Sequence, residues 1–504
     1  MTSKRIDFDL LSIALFAFII NAMAATLLVY RLDIYEPDNL ARASSALAAL
    51  FGVDANINGI GFVRPPLGTL LQIPLVVFPP FRHSGLSGNI VSVFSGAGVA
   101  VMLALFLRRA NVAQVLRWLI VATFILNPMI VFYSANGQTE MTYFFFVLVA
   151  IYLYWRWRDE GHWTYLAGSS IAAGLAILTR YDAVFLTAGL AFVVGLEGVA
   201  RRPDDARFGE SLVLLFVTPA AYLGLLWLAA NWAFTGSPFH FLRAHEGQIG
   251  IYLASHPELL PLKHDFAASF LKALSEGWIL FPAFLPLSAA LFLLAVARRS
   301  WHWAGTLMVV WSLVFFSAFA MFMGWSPAQP RFFMAVIPMS FVLAAGILQL
   351  LKASRQIIAL VLAATFAVGG YASAQAMLQT GSPGERAFVA GLIDNRPAEG
   401  WLAERVLAQH INNQTTGRVL VDTEHGSSIV AFSGQADRFV TPEAVMFDSY
   451  LRAPSGNVNY ILAWDWQTLG YKDRVNEAYP DLFEFGGDWV SLEKANGDWK
   501  LYRV

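Results

Sequence analysis

The 504 residues contain no cysteine. That excludes disulfides, thiolate metal sites and a cysteine nucleophile, while leaving the redox compartment open. Charge is almost as scarce. Asp, Glu, Lys and Arg make up 14% of the chain, against roughly 25% in an ordinary soluble domain. The formal net charge is -1, so there is no global basic field and no nucleic-acid partner is expected. No convincing internal repeat is present, and the residues after Gly381 show no phosphate-loop glycine pattern, metal-ligand spacing or nucleophile motif. What is abundant is apolar: 57% of the residues are hydrophobic and the mean hydropathy is +0.55. So much apolar surface needs lipid to face.

Lys and Arg accumulate in cytoplasmic loops, so their placement gives an expected topology. Lys4 and Arg5 precede an apolar run, Leu10 to Tyr30, that is long enough to span a bilayer and lacks a small-residue cleavage site. It reads as a retained first span leading outward. The segment from Arg31 to about Gly88 is then extracytoplasmic. Asn89 to Leu107 returns to Arg108 and Arg109, Leu116 to Phe132 leads out, and Met141 to Trp155 returns to Arg156 and Arg158. Trp163 to Thr179 leads out and Ala183 to Ala200 returns to Arg201 and Arg202. Leu212 to Phe234 leads to a long outer loop, and Trp278 to Ala297 returns to Arg298 and Arg299. Trp303 to Met323 leads out, Phe332 to Leu351 returns to Lys352 and Arg355, and Ile357 to about Gln375 leads out last. The expectation is a polytopic α-helical membrane protein of about eleven transmembrane helices, N-terminus cytoplasmic, in the plasma (inner) membrane.

Within the first outer segment, Leu67 to Phe81 is apolar but broken by Pro74, Pro79 and Pro80. At ~1.5 Å per residue it covers about 22 Å, short of the ~30 Å hydrocarbon core. It reads as a juxtamembrane helix in the interface. Were it a span, every later arginine pair would fall on the wrong side. From Gly381 the composition becomes that of a water-soluble domain. Helical spacing over Trp401 to His410, short strands at Arg418 to Val421 and Asn459 to Ala463, and a hairpin from Trp489 to Tyr502 turning at Asn496-Gly497 predict a small extracytoplasmic α/β domain. The expected division is a transmembrane catalytic domain over 1–380 and the soluble domain over 381–504.

Candidate chemistry gathers on the outer side. Glu36 and Asp38 follow the first span, and either could take a proton from an attacking hydroxyl. Arg64, Arg180 and Arg331 stand at span ends where the topology makes positive charge scarce. Each could snorkel to lipid phosphates or grip the phosphate of a membrane-bound substrate. Glu140 could cap the helix it opens, and Asp182 could pair with Arg180. With Tyr35 and His245, Glu140 completes the candidate substrate contacts. His240, His245, His256 and His264 share one outer loop but lack zinc-helix spacing, so no metal and no cofactor is expected.

Tyr35-Glu36-Pro37-Asp38 followed by Arg64-Pro65-Pro66-Leu67-Gly68-Thr69 on an interfacial helix resembles the GT-C superfamily of integral membrane glycosyltransferases. The nearest branch holds the protein O-mannosyltransferases, aminoarabinose transferases and RgtA/B/C/D-like proteins. Leu178-Thr179-Arg180-Tyr181-Asp182-Ala183, Asn127-Pro128 with Tyr133-Ser134 and Glu140, and Pro330-Arg331-Phe332-Phe333 with Pro338 resemble further segments of that family, in the same order. Two departures stand out. The mannosyltransferases typically show His-Pro-Pro-Leu-Gly-Lys where this chain has Arg64 and Thr69. Their Asp-Glu pair aligns with Asp38 and Asn39, leaving Glu36 two residues upstream.

The resemblance implies an inverting transferase that moves a sugar from a polyprenyl phosphate to a hydroxyl acceptor, a glycan, lipid or protein, on the outer face. Asp38 or Glu36 would be the base, and Arg331, Arg64 and Arg180 would bind the donor phosphate. Branches using monophosphate donors generally need no catalytic metal. A flippase or transporter of lipid-linked sugars, and a polymerase or ligase of cell-surface polysaccharide, are the alternatives. A transporter would more often show repeats and charges near the bilayer midplane.

Overall fold

A computed structural model describes residues 8–243, 249–250, 253, 256–351, 354–394, 396–398, 400–468 and 470–504. Lys4, Arg5, His245 and Lys352 lie outside them. The chain divides into two compact units. One comprises Met1–Ala25, Ser92–Ala135 and Thr139–Asp394; the other comprises Thr26–Val91, Asn136–Gln138 and Asn395–Val504.

The first unit is helical. Its long helices are α1 (Phe8–Leu27), which begins it, and α4 (Leu86–Arg109), most of which belongs to it. Then come α7 (Glu140–Glu160), α8 (Trp163–Ile177), α9 (Ala183–Arg201) and α10 (Ala206–Thr235). Later come α11 (Phe266–Leu280), α12 (Phe284–Ala297), α13 (His302–Phe322), α14 (Val336–Leu350), α15 (Arg355–Thr380) and the shorter α16 (Pro383–Asp394). Among the described residues, seven helices are long and apolar enough to cross a membrane, or eight if the bent pair α11 and α12 forms one span. This is a multi-pass helical membrane fold.

All the segments expected to span coincide with helix, but two are not continuous. Leu116 to Phe132 is broken into α5 (Gln114–Ile125) and α6 (Pro128–Tyr133). Leu126 closes the first and Asn127 caps the second, its Oδ1 accepting from the N–H groups of Met129 and Ile130. Pro128 then supplies a first turn that needs no donor. Trp278 to Ala297 is not one helix either. It bends by 105° between α11 and α12 at Phe281-Pro282-Ala283, where proline removes a ladder hydrogen bond. Helix α11 was legible only as outer loop because Lys272 and Glu276 interrupt its apolar pattern. They form an i,i+4 ion pair at 2.7 Å on that helix.

The second unit joins the acid-bearing segment that follows α1 to the C-terminal residues. Helices α2 (Pro37–Phe51) and α3 (Leu67–Val76) lie in the former. Ten residues of helix with Pro74 inside make α3, too short for a span. In the latter, strands β1 (Val419–Leu420), β2 (Phe439–Val440), β3 (Tyr460–Trp464), β4 (Ser491–Asn496) and β5 (Trp499–Arg503) form one sheet in the order β2-β1-β3-β5-β4. β1 is parallel to β2 and β3, while β5 is antiparallel to β3 and β4. The 489–502 hairpin turns at Gly497, whose φ is +54°.

Successive strand residues point to opposite faces, and both faces are covered. Val419, Phe439, Tyr460, Leu462 and Leu501 enter one core with Leu407 and Ile411 of α17 (Leu402–Gln414) and Ile429 and Val430 of α18 (Thr423–Ser433). That same core contains Tyr35, and Leu40, Ala43 and Leu47 of α2. Leu420, Val440, Ile461, Ala463 and Tyr502 enter a second core with Phe447, Val475 and Leu482.

Candidate active site

Helix α2 presents the acids of the second unit. Pro37 occupies its first turn, with φ already suited to helix, and Asp38 stands where the positive end of the helix dipole favours an anion. Asp38 Oδ1 accepts from Arg64 Nε at 3.1 Å, and both side chains remain about one-third exposed, at 32% and 34%. One helical turn on, buried Arg42 donates from Nη1 to the Asp38 carbonyl oxygen. The carboxylate at 38 is therefore oriented by an arginine and still reachable.

Glu36 differs. It is the residue before α2, with extended backbone and no capping bond from its side chain. It is 5% exposed, and its Oε2 accepts from Gln138 Nε2. Asn39, aligned by resemblance with an acid, is buried as an amide. Its Nδ2 donates to the Gly85 carbonyl and to Asn89 Oδ1, both at 3.1 Å, which a carboxylate could not do. Three glycines close on it: a Cβ on Gly88 would come within 1.9 Å of Asn39 Oδ1, and one on Gly137 within 2.2 Å of Nδ2. Beside them Ser87 donates to Gln72 Oε1 at 2.9 Å. Tyr35 is packed into the core, edge-on to Phe432. Its hydroxyl donates to the Val29 carbonyl, and its own carbonyl accepts from Trp401 Nε1 at 3.0 Å.

The first unit holds the other charged candidates. Arg180 donates from Nη1 to Glu140 Oε1 at 2.7 Å and from Nε to Asp182 Oδ2 at 3.1 Å. Glu140, in the first turn of α7, is buried. One guanidinium thus binds two carboxylates: Asp182 pairs with Arg180 as one alternative had it, while the Glu140 carboxylate also meets Arg180. Arg331 lies in the 3-10 turn Pro330–Phe333, with its guanidinium 4.7 Å from the centre of the Phe332 ring.

Gln138, Arg42 and Asn89 carry no motif and were not singled out from the sequence. Arg42 had the one local signal, its i,i+4 spacing from Asp38. Gln138 and Asn89 meet their partners only through long-range packing. Among the described residues no three His, Asp or Glu side chains come together as a metal-ligand group.

No family model and no curated protein matches the chain. Solved structures do. ArnT from Cupriavidus metallidurans in its apo state aligns at 12% identity and a TM-score of 0.57, over 98% of this chain and 97% of that one. The same protein bound to undecaprenyl phosphate aligns at 14% identity and a TM-score of 0.53, over 98% and 97%. At such identities the likeness shows the fold alone, a multi-pass helical fold shared with ArnT over nearly the whole of both chains.

Proposed function

We propose that this chain is a glycosyltransferase that moves a sugar, with inversion, from a polyprenyl phosphate to a hydroxyl of a glycan, lipid or protein at the outer face of the plasma (inner) membrane. Asp38 carries the reading: a reachable carboxylate, oriented by Arg64, in a chain with the GT-C fold. As general base it takes the proton of the acceptor hydroxyl while that oxygen attacks the anomeric carbon. Glu36, enclosed and tied to Gln138, supports the local geometry instead. The bond to the phosphate breaks as the new one forms, leaving negative charge that guanidinium groups stabilise. Arg331, Arg64 and Arg180, in that order, are the candidate donor-phosphate residues. The undecaprenyl phosphate bound in one ArnT structure supports a lipid carrier of this class. The arginine pairs after alternate spans support the outward orientation.

The test incubates purified protein with a polyprenyl-phosphate sugar and an envelope acceptor extract. Asp38→Asn is expected to lower transfer by about 10²–10⁴-fold, the range of a lost general base, and Glu36→Gln by less. Full transfer by Asp38→Asn removes the assignment. Movement of intact donor across liposomes without bond cleavage replaces the transferase with a flippase.

A further inference from the structure

The sheet order β2-β1-β3-β5-β4 reverses its progress between β1 and β3. β1 continues through α18 to β2 on one side, while β3, its parallel neighbour on the other, continues to β4 and β5. Loops that leave the carboxyl ends of two neighbouring strands in opposite directions open a space between them, and open α/β sheets bind ligands there. Here one loop is Asp422-Thr423-Glu424-His425, which leads into α18. The other holds Trp464-Asp465-Trp466-Gln467 and Tyr471-Lys472-Asp473. The reaction described above uses none of these residues.

The two loops are tied together. Asp422 is buried, its Oδ1 accepting from the Glu424 N–H at 2.9 Å and its Oδ2 from the Arg474 N–H at 3.0 Å. The His425 ring stacks on Trp464 with centres 3.8 Å apart and stands 5.0 Å from Tyr471. Lys472 Nζ lies 4.5 Å from the centre of the Trp466 ring. His425, Trp466 and Tyr471 stay half-buried, and Glu424 and Gln467 are exposed, so the loops present an aromatic platform with a polar rim. Beside it, His425 Nε2, Ser428 Oγ one turn along α18 and Asn476 Oδ1 have no hydrogen-bond partner among the described residues. Ser428 is 3% exposed and Asn476 0%, and the Asn476 N–H donates to Asp473 Oδ1 at 2.8 Å. Buried polar atoms without partners are few in folded proteins, and each calls for one.

Charge sorts the ligand classes. Asp422, Glu424, Asp465 and Asp473 outnumber Lys472 and Arg474, and Arg474 is already paired with Asp448. Burial, reinforced by Asp422 and Glu424, pushes the Asp473 carboxyl up to about 7, in keeping with a negative local field. Such a field repels phosphates and acidic sugars. A neutral sugar suits it, because its hydroxyls donate to carboxylates and to an imidazole nitrogen while its C–H faces pack on aromatic rings.

We propose that these two loops form a subsite for a neutral saccharide, the glycan acceptor of the transfer. The acceptor role rests on the transferase reading above, whereas the binding does not.

The experiment is saturation-transfer NMR on purified full-length protein in nanodiscs, with maltotriose, mannotriose and galactotriose as neutral probes and trigalacturonic acid as the charged one. Wild type is expected to bind a neutral trisaccharide at least about tenfold more tightly than the acidic one. Trp466→Ala and Tyr471→Ala are each expected to weaken binding about tenfold, the effect of losing one aromatic anchor. Glu424→Gln, at an exposed position, is expected to weaken it about threefold and keeps the test open should the aromatic variants fail to fold. Asp38→Asn is expected to bind like the wild type. With the bound trisaccharide as acceptor, Trp466→Ala is expected to raise KM about tenfold at unchanged kcat, a split that loss of folded protein does not produce. No neutral probe bound by wild type, equal binding of the acidic probe, or binding retained by all three loop variants overturns the inference and leaves the transferase reading in place. Binding that the loop variants lose, in a protein that transfers no sugar, keeps the subsite and removes the transferase reading.

Discussion

Two side chains of the C-terminal domain titrate against their surroundings in opposite senses. Asp473 is buried, and burial, reinforced by Asp422 and Glu424, pushes its carboxyl up to about 7. His425, stacked 3.8 Å from the Trp464 ring, is pushed by burial down to about 4. An acid whose folded pKa is raised contributes stability at low pH that is lost as pH rises from about 4 to about 7. A base whose folded pKa is depressed contributes stability at high pH that is lost as pH falls from about 6.5 to about 4. Each slope is at most ~1.4 kcal/mol per pH unit, and in the wild type they oppose. Asp473→Asn, whose amide can still cap the Asn476 N–H, is expected to leave a domain that gains stability with rising pH. His425→Phe is expected to leave one that loses it. Hydrogen exchange of β1 and β3 at several pH values, corrected for intrinsic rates, distinguishes the two. A flat profile in both variants would contradict the assignments.

At the scale of elements, α2 depends on glycines far from it in sequence. Gly137 has a φ of +81° and its Cα faces Asn39, so Gly137→Ala meets both backbone strain and a clash. Gly161 is the control, with a φ of +76° and nothing within 4 Å of an added Cβ. Gly161→Ala is expected to cost ~1 kcal/mol, and Gly137→Ala ~3 kcal/mol or more. The second should also lower transfer, since Gln138 follows directly and holds Glu36. Thermal melts of the two variants check this, and equal shifts would mean that Asn39 yields freely. The interfacial α3 was legible because its prolines and its length are local. The break at Phe281-Pro282-Ala283 had the same local cue, but an apolar run through the proline masked it.

On the scale of the whole molecule, the acid-bearing segment shares a core with the C-terminal domain. Trp401 donates to the Tyr35 carbonyl, and Arg405 meets Asp33 at 2.6 Å. Leu40, Ala43 and Leu47 pack with Leu407, Ile411 and Val430. A chain ended after Asp394 is therefore expected to lose transfer activity and to become protease-sensitive between Asp33 and Phe51. Limited proteolysis read by mass spectrometry tests this, and continued resistance of that segment would show that the shared core is dispensable. The C-terminal residues and α2 thus share one core, a packing invisible from either stretch alone.

Sequence by itself determined the apolar helices, the short proline-broken helix α3 and most of the small sheet. Each of these follows from residues within a few positions of one another: a run of apolar side chains, a first-turn proline and acid, alternation along a strand, Asn-Gly at a turn. Tertiary structure alone decided which acids have partners. Asp38 meets Arg64 across 26 residues, Glu36 meets Gln138 across 102, and Glu385 meets Tyr133 across 252. Whether a carboxylate is reachable or enclosed depends on packing that brings such distant residues together, and no local pattern encodes it.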